Sequence, residues 1–160
     1  MFQWQGHSYG LEIRPSIAAE YADLSGGTLA VYSVFPHDRA RAGKIAHKWL
    51  KTALQDLVQS RFDAMALQFN CPKPMLRTRA MRSRWGSYHP RHIVTINTEL
   101  AKYPVEYLDY VILHELCHIF HRNHQKGFYD LLASYCPNYR KFQRELRKTR
   151  PTGFKALHFR

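Results

Sequence analysis

The stretch His114-Glu115-Leu116-Cys117-His118, followed by Asn123-His124, decides how this chain of 160 residues is read. Around it, Leu108, Val111, Ile112, Leu113, Leu116, Ile119 and Phe120 cover most of a helical circumference. They predict a largely buried helix from Pro104 to about residue 121. Two residues four apart on a helix lie roughly 40° apart around the axis and about 6 Å apart along it. His114 and His118 therefore share a face and can grip one metal ion, while Glu115 can reach a water beside that metal rather than the metal itself. With ten histidines and six glutamates in the chain, chance supplies only about 0.02 such H-E-x-x-H matches. Buried imidazoles and carboxylates need partners, and a metal provides them.

A catalytic zinc ion usually takes three protein ligands and keeps one open position. His124, six residues beyond His118, is favoured as the third ligand. The gap lets the helix end and the chain fold back, and Asn123 is a residue able to take a left-handed turn. Glu145, on a later helix, is the alternative third ligand; added as a fourth, it would close the site into a structural one. His121 lies three residues past His118, where a ligand would crowd the pair; it reads as a donor supporting the ligands or as a surface histidine. One zinc ion per chain would bring the pKa of its water to about 7, with Glu115 as general base in attack on a carbonyl.

Outward from this helix, residues 1–37 predict N-terminal strands, with Tyr9 to Arg14 alternating and Thr28 to Phe35 rich in β-formers. Residues 38–66 predict a long helix capped by Asp38, with Ile45, Trp49, Leu50, Leu54, Leu57, Val58, Phe62 and Met65 at helical spacing. After the break at Cys71-Pro72-Lys73-Pro74, residues 76–88 and 93–98 predict two strands joined by a hairpin. Short helices follow over 125–135 and 138–149, and residues 150–160 form a basic tail. No repeat or linker divides the chain, so the expectation is one α+β domain. Three cysteines (Cys71, Cys117, Cys136) without a C-x-x-C pair argue against a disulfide framework and suit a cytoplasmic protein. A mean hydropathy of -0.47 and the lack of a long apolar run or a signal-like N-terminus predict no membrane association.

The formal charge of +12 is uneven. Residues 73–91 hold Lys73, Arg77, Arg79, Arg82, Arg84 and Arg91 with no acid, and residues 139–160 hold eight cations against Glu145. The rest of the chain is near neutral. Localised positive charge can hold DNA or another polyanion through counterion release; the plainer alternative is solubility.

Arg82-Ser83-Arg84-Trp85-Gly86-Ser87, Ile96-Asn97, Leu100, Pro104, Asp109-Tyr110-Val111, the H-E-x-x-H stretch, Asn123-His124 and Phe128-Tyr129 together resemble the YgjP-like (WLM-related) metallopeptidases. These are zincins, akin to SprT-like proteases. The likeness covers about residues 75–146, departing at Tyr88, where the family usually has Cys, and at Tyr129, often Trp. It implies a zincin-like fold, a small mixed sheet packed on the H-E-x-x-H helix. It also implies zinc held by His114, His118 and His124, with Glu115 as catalytic base.

The resemblance places Arg82, Arg84 and Trp85 near the active site. There, an arginine could hold a substrate strand or stabilise an oxyanion. The structural alternative pairs Arg82 or Arg84 with Asp109 and puts Trp85 in the core. Asn97 and Asp109 read as framework polar groups. Tyr129 and Tyr135 could donate to the transition state or simply pack. The leading expectation is a zinc endopeptidase acting on proteins or peptides. The rivals are a nucleic-acid-associated protein with a structural zinc, a protease acting on DNA-associated proteins (suggested by the SprT likeness), and a zinc hydrolase of a non-peptide amide.

Overall fold

The computed structural model describes residues 1–151; Lys155 and Arg160 of the expected basic tail lie outside the described residues. Its longest element is the helix α1 (Arg39–Ala66), which starts where the sequence predicts, with the Asp38 carboxylate accepting from the Arg41 backbone N–H at 2.9 Å. Ala42, Ala46, Leu50, Leu54, Val58 and Phe62 recur every fourth residue and are all buried. At 3.6 residues per turn such a row drifts slowly round the axis and makes one continuous apolar stripe. That stripe is the middle of the core, with a four-stranded sheet against it on one side and the metal helix and a second sheet on the other.

The first sheet consists of β1 (Phe2–Trp4), β2 (His7–Pro15), β3 (Tyr21–Ser25) and β4 (Thr28–Ser33), in the order β1-β2-β4-β3. β2 and β4 run parallel, while β1–β2 and β3–β4 are antiparallel hairpins. Their two-residue turns, Gln5-Gly6 and Gly26-Gly27, have positive φ at both positions, as the tight turn demands. β1 and β3 are too short and too mixed to show a clear alternation in the sequence. The Gln5-Gly6 turn has a second task. Its backbone N–H groups donate to Ala101 O (2.7 Å) and Lys102 O (3.0 Å), fastening the N-terminal hairpin to the residues that lead into α2 (Val105–Cys117). A Cβ on Gly6 would lie 2.7 Å from Pro104 Cγ, so only glycine fits that approach.

The second sheet corrects the expected strand over 76–88. That stretch forms two strands, β5 (Met75–Arg79) and β6 (Gly86–His89), both paired with β7 (Ile93–Asn97) in the order β5-β7-β6. β5 is parallel to β7, and β6 is antiparallel through the expected hairpin. Residues 80–85 leave the sheet because Asn97 organises them. Its side chain is fully buried, donates from Nδ2 to Met81 O and Arg84 O (2.8 Å each), and accepts at Oδ1 from the N–H groups of Met81 (3.4 Å) and Glu99 (3.1 Å). The Asn97 backbone N–H donates to Trp85 O at 2.9 Å. Four main-chain groups of this loop, at Met81, Arg84 and Trp85, are thus satisfied by one buried residue.

α2 is buried on nearly every side and ends at Cys117, four residues earlier than expected. Phe120 therefore falls beyond the helix; it is 51% exposed and stacks on Phe69 instead of covering the core. The helices α3 (Lys126–Tyr135) and α4 (Tyr139–Lys148) follow close to their predicted limits. Asp109 on α2 is clamped by Arg61 of α1, through Nε to Oδ1 at 2.7 Å and a second contact from Nη2 to Oδ2. This replaces the expected pairing of Asp109 with Arg82 or Arg84. The partner lies on the long helix because α1 and α2 pack side by side. Among the described residues no helix is long and apolar enough to cross a membrane.

Replacing Asn97 by Ala would leave the buried Glu99 N–H and three part-buried main-chain groups at Met81 and Arg84 without this partner. Each such group costs about 1–3 kcal/mol, so chemical denaturation should show Asn97→Ala destabilised by at least about 2 kcal/mol. An unchanged denaturation midpoint would show that the 80–85 loop does not depend on it.

Candidate metal centre

The C-terminal turn of α2 presents His114, Glu115 and His118, and the end of that helix is what allows a third imidazole to join them. His118 caps the helix, the next residues form a tight turn, and the chain returns through a series of bends before α3 begins at Lys126. Asn123 keeps a negative φ, contrary to the expected left-handed turn; the reversal is spread over residues 118–124 instead. The return brings His124 Nε2 to 2.9 Å from His114 Nε2. The ring centres of His114, His118 and His124 are 4.7–5.1 Å apart, and one nitrogen from each lies within 4.8 Å of the others.

Phe128, the third residue of α3, is fully buried and packs on all three rings at 4.6–4.9 Å between centres. It is the floor of the cluster. His118 Nδ1 meets the backbone carbonyl of His121 at 3.0 Å, which fixes the ring and turns Nε2 toward the other two histidines. His121 thus supports the cluster through its main chain; its ring lies over Gly127, 2.9 Å from where a Cβ there would sit.

The donor set fits a zinc ion. Bonds of ~2.0–2.1 Å in tetrahedral geometry put ligand nitrogens about 3.3 Å apart, within the spread observed here. Two of the imidazoles, His114 and His124, are also biased toward the neutral form, the form that ligates. Burial above all, then the neighbouring His118 and His124, pushes His114 down to about 3. Burial, His118 and Arg147 lower His124. Among the described residues these three are the only His, Cys, Asp or Glu side chains grouped this way. Glu145 stands apart, accepting a hydrogen bond from the Tyr107 hydroxyl and pushing that phenol up to about 12.

Glu115 is only 6% exposed. Burial pushes its carboxyl up to about 8, against the opposing pull of Arg84 and a hydrogen bond from the Tyr88 backbone N–H. It packs directly on the start of β6. A Cβ on Gly86 would sit 2.7 Å from Glu115 Oε1 and 2.8 Å from Val111 Cγ1. Gly86, the Tyr88 N–H and Phe128 were not legible as site residues. Their roles are steric or main-chain, and a sequence shows neither.

The cluster opens on a two-lobed cleft. Arg84, Gly86, His114, Glu115 and His124 line both lobes, one of about 420 Å³ bounded by Tyr129, Gln143 and Arg147, the other of about 500 Å³ bounded by Tyr88, Pro90 and Arg122. Of the residues singled out in the sequence, Arg84, Trp85 and Tyr129 line this cleft, with Tyr129 6.2 Å from His124 between ring centres. Arg82 is exposed and lines neither lobe. Tyr135 is seated elsewhere, its hydroxyl on Gln68 O (3.1 Å) and its ring stacked on Phe69 (4.4 Å), so packing is its role. Trp85 packs on the core and donates from Nε1 to Leu146 O at 3.1 Å.

A search of curated proteins finds no match. Among solved structures the chain is similar to the metallopeptidase zymogen abylysin of Pyrococcus abyssi, with a TM-score of 0.48 and 17% identity over 59% of this chain and 92% of that one. It is also similar to the metallopeptidase zymogen jannalysin of Methanocaldococcus jannaschii, with a TM-score of 0.47 and 21% identity over 59% of this chain and 94% of that one. Residues 1–149 match the YgjP-like metallopeptidase domain, and the chain belongs to that family. The match reaches back beyond residues 75–146 to take in the first sheet and α1.

Because the Gly86 Cα faces Glu115 and Val111, Gly86→Ala forces one of them to move. Overpacking of this kind costs about 1–3 kcal/mol, and a thermal melt matching the parent chain would show that the carboxylate is not seated on β6.

Proposed function

We propose that this YgjP-like metallopeptidase is a zinc-dependent endopeptidase, with His114, His118 and His124 as the ligands and Glu115 as the general base. The observation that carries the reading is the convergence of three imidazoles beside a buried carboxylate, at the bottom of an open cleft. When bound, zinc supplies Lewis acidity, which polarises a carbonyl and acidifies water at its open position.

The chain's own residues do the rest. His118 is oriented by the His121 carbonyl, and Phe128 excludes water from behind the ligands. Glu115, held by the Tyr88 N–H and favoured as the carboxylate once a cation lies beside it, would take the proton from the attacking water and return it to the leaving amine. Arg84 and the Tyr129 hydroxyl border the place where the carbonyl oxygen gains charge and are the donors suited to stabilise it. β6 is an edge strand whose first residue lines both lobes, so an extended substrate can add beside it. Glu145, the side chain that would close the site into a structural one, is engaged by Tyr107.

Glu115→Gln should keep one zinc per chain by metal analysis and lose peptide cleavage by about 10²–10⁴-fold. His124→Ala should lose the zinc and fall in melting temperature to that of the chelator-treated parent. Cleavage by Glu115→Gln at the parent rate, or a purified chain that takes up no zinc, would refute the reading.

A second reading, association with a polyanion, is favoured by the outer face of the second sheet. The register sets Arg77, Thr95 and Ser87 in one cross-strand row, beside Arg79. The hollow over them, about 640 Å³, has no acidic residue in its lining. Arg77, Arg79 and Arg84 of the first basic segment border this surface. The Arg77→Glu/Arg79→Glu double variant should abolish binding of a labelled single-stranded oligonucleotide that weakens steeply as salt rises. Binding indifferent to salt, or equal in the double variant, would rule it out.

A further inference from the structure

The cleft walls carry unpaired positive charge on both sides of the catalytic carboxylate. Arg84 borders both lobes, Arg147 borders only the first, and Arg122 borders only the second. All three are exposed. Glu115, buried beneath them, is the only acidic residue in either lining.

Acids are scarce, and Arg14, Arg41 and Arg61 take up three of them, in Glu12, Glu20 and Asp109. Among the described residues, the guanidinium groups of Arg84, Arg122 and Arg147 form no ion pair, although Arg84 acts through space on the buried Glu115. What sets them apart from the other arginines without an ion pair is that all three border one cleft. The three come from separate elements: the loop folded round Asn97, the turn after α2, and α4. Three distant parts of the chain thus direct a free cation to one cleft, and two of them are sorted one to each lobe.

Resting on the reading of this cleft as a peptide-binding site, we propose that it selects substrates with anionic side chains on both sides of the scissile bond, Arg147 recognising one flank and Arg122 the other. Guanidinium binds carboxylate and phosphoryl groups alike, through paired hydrogen bonds. The class therefore includes acidic residues and phosphorylated serine or threonine. Arg84, between the lobes, is within reach of either flank. Trp85, Val111 and Leu146 offer the first lobe an apolar surface for the stem of such a side chain.

The test is a binding measurement on the full-length Glu115→Gln chain, so that it does not depend on turnover. Fluorescein-labelled octapeptides of one backbone sequence would carry Glu, phosphoserine, Gln or Lys at the two central flanking positions, with affinity read by anisotropy. The Glu and phosphoserine peptides should bind about tenfold or more tighter than the Gln peptide, and the Lys peptide weakest. Arg147→Glu and Arg122→Glu should each remove most of that gap for a peptide charged on one flank only, and on opposite flanks. Arg144→Glu, an equal charge change on α4 outside both linings, should leave the gap intact. Equal affinity for the Glu and Gln peptides would overturn the proposal, as would an Arg144→Glu effect as large as that of Arg147→Glu, which would reduce the preference to bulk charge. Loss of peptidase activity in the unmodified chain would count against the endopeptidase reading alone, since the binding preference is measured without cleavage.

Discussion

Everything around the cleft follows from seating a buried carboxylate, and a cluster of three imidazoles beside it, at the edge of an apolar framework. Isolated polar groups in that position are expensive to bury, and the cost falls only when the surroundings supply contacts made for them. Glu115 has the Tyr88 N–H and the gap at Gly86. His118 has the His121 carbonyl, and all three imidazoles share Phe128. α2 is therefore a helix whose last turn is fitted on one side by β6 and on the other by α3. If either neighbour is lost, the ligand geometry goes with it.

The remainder of the fold keeps those two neighbours in place. Asn97 folds residues 80–85 so that Gly86 arrives beside Glu115 at the right height. Arg61 and Asp109 tie α2 to the long helix, and the Gln5-Gly6 turn tethers the first sheet to the approach of α2. The first sheet has no residue in the cleft, yet it braces the segment that aims the metal helix. That explains physically why the family match extends over residues 1–149 and not over the ligand-bearing half alone.

Charge is arranged on the same frame. Arg77 and Arg79, from the basic segment over residues 73–91, lie on the outer face of the second sheet, while Arg84 borders both that face and the cleft over the histidine cluster. Arg147, from the second basic segment, reaches the same cleft from α4. Two runs that are separate in the sequence thus supply one positively charged entrance, which Arg84 joins to the outer sheet face.

The sequence by itself determined the helices and the chemistry. Apolar spacing marked α1, α3 and α4 closely, because helical periodicity is a local property repeated over many residues. The i, i+4 geometry of H-E-x-x-H put two imidazoles and a carboxylate on one turn without any tertiary information, and the gap to His124 left room for a third. The tertiary structure decided which partners those residues met. The break at residues 80–85, the end of α2 at Cys117, the pairing of Asp109 with Arg61, and the roles of Gly86 and Phe128 all depend on groups far apart in the chain. Their effect comes from shape and main-chain hydrogen bonds, and these exist only once distant segments have packed together.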